Sequence, residues 1–239
     1  MSAESAAPTV VDLLWKPRRP PRRGPRPALT LERITQVGID IADAEGLSAV
    51  SMQRVAEGLG FTKMSLYRYV PGKAELVALM ADAAMGQPDL GAFDSWRPQL
   101  REWSTQLWSA FAQHPWVLGV TVGRRPLGPN ELAWLDAGLA ALADTGLSGG
   151  EKFDTVALLT GHVRSLAEQT VAVPEGHSGA SEQDVMDELA AVLGEHGARY
   201  PAVLAAMSSA QAGREQALGF GIDRILDGLA VFIERGHGH

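Results

Sequence analysis

The 239-residue chain contains no cysteine. That excludes disulfides, thiolate metal sites and cysteine nucleophiles. No apolar run approaches the roughly 18 residues that a membrane span needs. The N-terminus has no apolar signal-peptide core, so a cytoplasmic protein without a membrane partner is expected. Sustained alternation of β-branched and polar residues is missing, which argues against a sheet. The phosphate-loop pattern G-x-x-x-x-G-K-[ST] and the nucleophile elbow G-x-S-x-G are both missing. The stretch 147–152 (LSGGEK) looks superficially like an ATPase signature loop. Ser148 and Glu151 are better read as a capping box opening a helix. His114 and His162 are 48 residues apart, and neither has an H-x-x-x-H or H-E-x-x-H partner. No catalytic residue, metal or cofactor is assigned, and no enzyme activity is expected.

Acidic residues outnumber basic ones, 28 to 21, for a net charge of −7. The excess is uneven. Residues 1–80 carry 11 Lys and Arg against 8 Asp and Glu, and the remainder 10 against 20. A basic head on an acidic body orients the molecule toward a phosphate backbone. Residues 16–26 (KPRRPPRRGPR) hold six cations, four prolines and no acid. The prolines exclude a helix there, so residues 1–28 are expected to form a disordered basic arm. Such an arm either follows a groove or the phosphates, or stays solvated and only steers.

The stretch 51–73 (SMQRVAEGLGFTKMSLYRYVPGK) carries the sharpest pattern. Met52, Val55, Ala56 and Leu59 fall at helical spacing behind Ser51, a good N-cap. Gly60 suits a turn of positive φ. A second short helix, near 62–70, has Leu66 as its best apolar anchor and is otherwise polar or aromatic. Such a helix contributes little core, but its donors and acceptors suit a major groove. This is a helix-turn-helix. Thr30 caps a preceding helix to about Ala44. Another helix runs from Lys73 to about Met85, and 86–94 reads as a linker.

The order of residues 61–76 (FTKMSLYRYVPGKAEL), with its lead-in 44–60, resembles the recognition segment of the TetR/AcrR repressors. The resemblance covers about 29–85. It implies an all-α protein: a three-helix DNA-binding domain over 29–86, then a larger ligand-binding and dimerisation domain over 95–236. Lys63 and Met64 would face base edges in double-stranded DNA. Gln53 and Ser65 would reach bases or backbone, and Thr62, Tyr67, Tyr69 and Lys73 would hold phosphates.

From residue 95 onward the period is helical throughout. Helices are expected near 95–113, 115–123, 129–145, 149–172, 183–195, 199–209 and 212–236, with a loop over 173–181. Trp96, Trp103, Trp108, Phe111, Trp116 and Trp134 crowd one window. Indoles can wall an apolar pocket and fix a polar ligand atom, or simply pack as core. The resemblance implies a small-molecule effector site here, with Trp103, Trp108, Phe111, Trp134, His162 and Leu166 as lining candidates. Two late helices carry apolar stripes: Val156, Leu159, Val163 and Leu166 within 151–171, and Leu218, Ile222, Ile225, Leu226, Leu229 and Phe232 within 213–233. By the resemblance they would pair with their copies in a homodimer. Two readings remain beside the regulator: an enzyme with an incidental helix-turn-helix, and an architectural DNA binder without an effector.

Overall fold

The computed structural model describes residues 8–16, 29–123, 125–171, 182–209 and 214–236. Regular structure among the described residues is entirely helical. The N-terminal unit comprises α1 (Val10–Trp15), α2 (Leu31–Glu45), α3 (Met52–Leu59), α4 (Lys63–Tyr67) and α5 (Lys73–Met85). The C-terminal unit comprises α6 (Trp96–Gln113), α7 (Val117–Val120), α8 (Pro129–Ala141), α9 (Gly149–Val171), α10 (Glu182–His196), α11 (Pro201–Ser209) and α12 (Arg214–Gly236).

Local chemistry sets the boundaries of the N-terminal helices. The Thr30 hydroxyl accepts from the Arg33 amide, and Ser51 accepts from Arg54, so each satisfies a donor that a helix start leaves open. Gly60 ends α3 at φ 73°, ψ 28°, a left-handed conformation that a Cβ would strain. Ile34, Val50, Val55, Leu66, Val70, Leu76 and Met80 close the first core. The second core gathers Leu100, Trp103, Leu107, Leu142, Val156, Leu159, Val163, Ile222 and Leu226 from α6, α9, α12 and the end of α8. Helix α5 belongs to both units: it packs on α2 at one end and on α6, α7 and α8 further along.

Several expectations need correction. Residues 1–28 are not all tail, because α1 forms within them and buries Leu13 in the first core. A reciprocal capping box between Thr9 and Asp12 starts that helix. Helix α4 has five residues and stops at Arg68, before the Pro71–Gly72 turn. The expected 115–123 helix shrinks to the four residues of α7, and α8 ends at Ala141 rather than near 145. The basic run beyond Lys16 and the expected 173–181 loop lie outside the described residues.

The apolar stripes of the two late helices divide differently from expectation. Val156, Leu159, Val163, Ile222, Leu226 and Leu229 are buried within this chain and do not form an outward face. Of the expected stripes Phe232 alone is among the large exposed apolar side chains, and the others lie outside the stripes: Phe153 and Leu158 on α9, and Phe220 and Val231 on α12. Both helices therefore have two apolar sides. Periodicity reveals a stripe but not which side meets the helix's own core.

Candidate nucleic-acid interface and internal cavity

The eight residues expected to meet DNA lie on α3, α4, the turn between them and the approach to α5. Leu66 is fully buried and anchors α4 to the core. The side chains around it stay outside. Met64 is 74% exposed, and Thr62, Lys63, Tyr67 and Lys73 are exposed as well. The Lys63 ammonium sits 5.6 Å from the Tyr67 ring centroid. The Thr62 and Ser65 hydroxyls are 3.0 Å apart. Gln53 donates to Glu57 one turn along α3 at 2.6 Å. Ser65 and Tyr69 are half-buried, and Tyr69 packs against the first core. Helix α5 begins at Gly72 with no side-chain cap, leaving its first amides open beside Lys73.

A cavity of about 220 Å³ lies in the C-terminal unit. Trp103, Phe111 and Trp134 line it, as expected from the aromatic cluster, joined by Met85, Leu107 and Leu127. Trp108, His162 and Leu166 are not among its lining residues. Trp108 packs into the second core, and His162 faces α12, with Nε2 3.4 Å from the Leu218 carbonyl and its ring over Gly221. The two cavity tryptophans meet edge to face, with centroids 6.1 Å apart. Their indole N–H groups are already used. Trp103 donates to the Trp134 carbonyl at 2.9 Å, and Trp134 donates to the Gly86 and Met85 carbonyls where α5 ends. The rings thus offer apolar surface.

Polar groups cluster on another wall. Arg125 makes a bidentate pair with Glu131, and Arg164 donates to Thr121 and the Leu118 carbonyl. No sequence motif flags these four residues. Arginine and glutamate scattered over 40 positions read as solvated surface until the fold gathers them. A second depression, about 490 Å³, lies between Leu147, Glu151, Phe232 and Arg235, on the exposed side of α9 and α12.

Polar ties join the two units. The Asp82 carboxylate on α5 accepts from the Asn130 and Glu131 amides at 3.0 and 3.1 Å, both on Oδ1, and so caps α8. Asn130 returns a hydrogen bond to the Asp82 carbonyl at 3.0 Å. With Trp134 serving the end of α5, the two helices cap each other. Burial raises the Asp82 carboxyl above its ordinary pKa, against the two amide donors that lower it. The approach is close, since a Cβ at Gly128 would fall on this carboxylate. A second tie uses Asp43 on α2, which binds His114 Nδ1 at 2.9 Å and accepts from the Trp116 indole at 2.7 Å. Neither aspartate was singled out by sequence pattern, because each looks like an ordinary acid on a helix's polar side.

A helix-turn-helix head, joined through one shared helix to a larger helical body with an aromatic pocket open to solvent on one side, is the plan of a transcription regulator. Comparison with known proteins gives the family. Residues 34–80 match the family model for bacterial regulatory proteins of the tetR family, and residues 87–233 match the tetracyclin repressor-like C-terminal domain. The chain belongs to the TetR family of DNA-binding transcriptional regulators. It is 35% identical to the HTH-type transcriptional repressor DrrR1 of Streptomyces coeruleorubidus, over 95% of this chain and 87% of that protein. Among solved structures, apo ActR of Streptomyces coelicolor superposes with a TM-score of 0.74 at 24% identity, covering 88% of this chain and 99% of that one. ActR in complex with actinorhodin gives 0.72 at 25%, covering 86% and 98%.

Proposed function

We propose that this chain is a homodimeric repressor that binds a palindromic operator and is released when a small, largely aromatic molecule fills the cavity. The observation that carries the reading is the double capping of α5 and α8. The helix that follows the DNA-reading α4 has its far end fixed by residues that line or border the cavity. A drug-sized ligand needs roughly 300 Å³ or more. A ligand of that size that seats in the pocket of about 220 Å³ without projecting into solvent displaces a wall, and the end of α5 is one of the walls. The ligand acts through its different affinities for the two dispositions of α5. The cavity's chemistry supports a flat apolar body with hydrogen-bond acceptors on one edge, facing Arg125 and Arg164. ActR, a relative of similar fold, has been crystallised with actinorhodin.

Dimerisation is supported by the exposed Phe153, Leu158, Phe220, Val231 and Phe232, a large apolar surface for a lone monomer. Two copies present two α4 helices to half-sites one helical repeat apart. In this reading Lys63 and Met64 face base edges, and Gln53 and Ser65 reach bases or backbone. Thr62, Tyr67, Tyr69 and Lys73 hold phosphates, Lys73 beside the open amides of α5.

Footprinting on the DNA flanking the protein's own gene tests the core of this reading. A protected palindrome, lost on adding effector, is the expected result. Protection without sequence preference would favour an architectural role. Two substitutions separate the contacts. Lys63→Ala should cost about 1–3 kcal/mol on the operator and little on scrambled DNA, measured by titration on both. Equal loss on the two sequences would remove Lys63 from base reading. Lys73→Ala should weaken binding to every sequence and lower the slope of log affinity against log salt by about one. An unchanged slope would remove it from the phosphate set.

A further inference from the structure

Helix α1 precedes the region that matches the family's DNA-binding model, which begins at residue 34. Six residues are too few for a stable isolated helix, so α1 depends on what it touches. Leu13 is buried in the first core, and α1 packs along α5. At its end the Trp15 indole donates to the Leu127 carbonyl, at 2.9 Å and across 112 residues of sequence.

Leu127 belongs to the cavity wall. It lies in the segment between α7 and α8, which also contributes Thr121 and Arg125 to the lining. That segment is pinned near its start, where Arg164 grips Thr121 and Leu118. It is pinned at its end, where Asp82 caps α8. Between these points Arg125 turns inward to Glu131, and Trp15 supplies the tie to the α1–α5 side. Leu127 is 45% exposed and Trp15 also 45%, so this tie sits where the cavity wall meets solvent.

We propose that Trp15 is a positioning residue of the effector cavity. Through its bond to Leu127 it holds the α7–α8 segment closed, and α1 couples that closure to α5. The proposal rests on the cavity being the effector site. An effector that enters past Leu127 loosens α1, and its departure on that side is slowed while the bond holds. Retention of the effector thus depends on a segment that the family's DNA-binding model does not cover. A single net hydrogen bond is worth about 0.5–1.5 kcal/mol, which sets an effect of roughly two- to tenfold.

The test uses the full chain with Trp15→Phe, which keeps an aromatic ring and removes the donor. The probe is anilinonaphthalene sulfonate, an aromatic anion whose fluorescence reports apolar surroundings. A Thr160→Phe variant, which fills the cavity from α9, defines the part of the signal that comes from the cavity. In Trp15→Phe the cavity-bound probe should dissociate about two- to tenfold faster. Amide exchange over 121–128 should accelerate, while exchange in α3 and effector-free operator affinity stay unchanged. Wild-type exchange over 121–128 in Trp15→Phe would overturn the proposal whatever the probe does. Fluorescence unaffected by Thr160→Phe would instead count against the cavity as an aromatic-ligand site, and the exchange measurement would still decide the role of Trp15.

Discussion

Replacing Leu66 with alanine should abolish operator binding while the C-terminal unit remains folded. Leu66 is fully buried, and it is the one buried residue of the five-residue α4. Truncating a buried leucine costs about 2–5 kcal/mol, through lost transfer energy and the cavity left behind. A whole domain is stable by only about 5–15 kcal/mol. The first core is small, and α4 has too few residues to hold its shape without an anchor. The second core does not include Leu66. Circular dichroism should therefore show a partial early melt followed by a main transition that shifts less, since α5 and its ties are shared by the two units. Gel shift should show no specific complex, and effector binding should persist. A variant that still footprints the operator would show that α4 is held by something other than Leu66.

Replacing Asp82 with alanine should leave operator affinity intact and break the response to effector. The mutation removes the acceptor for two amides at the start of α8, at a cost of about 1–3 kcal/mol in stability. More importantly, it unfastens α5 from the element that borders the cavity. The effector concentration needed for half release should rise about tenfold, the equivalent of 1.4 kcal/mol of coupling. Gly128→Ala should do the same by pushing the carboxylate out. Asp82→Asn gives the decisive contrast. Both amides use Oδ1 alone, so an asparagine oxygen can accept them and the response should survive.

The pH dependence of stability has a definite sign. Burial raises the folded pKa of Asp82, so the native state holds that proton more tightly than the unfolded chain does. Its stabilising contribution is present below the ordinary carboxylate pKa. It is lost as pH rises through the raised value. In Asp82→Asn that loss should be missing from the pH–melting curve. A melting curve that matches the wild type's across this window would show that Asp82 does not titrate as its burial implies.

The head was legible in the sequence because its information is local. Ser51, the spacing of Met52, Val55 and Ala56, and the glycine at 60 each act within a turn or two of chain. The structure places them in α3 and its left-handed end. The cavity was legible only in its aromatic part. Trp103, Phe111 and Trp134 draw the eye as large apolar residues, but nothing local separates them from Trp108, which packs as core. The polar wall was invisible, because Arg125, Glu131 and Arg164 acquire meaning only when α7, α8 and α9 converge. Helix α1 was missed for a related reason. The prolines and arginines from Lys16 onward dominated the composition of the N-terminus, and the local signal of α1 is a single capping box, Thr9 with Asp12, on six residues that depend on contacts with α5 and Leu127.

The joint between the units bears on hybrid regulators, in which the head of one protein is grafted onto the body of another. The match to the DNA-binding domain ends at residue 80, and the match to the C-terminal domain begins at 87. Asp82 falls in the gap. A crossover at 80 leaves Asp82 with its native α8, whereas a crossover at 86 imports whatever residue the donor carries there. In either chimera the donor must also supply an acid at the position of Asp43, or His114 and Trp116 lose their shared acceptor. A crossover at 86 thus makes two carboxylates conditions on the heads this body can drive, and a crossover at 80 leaves one.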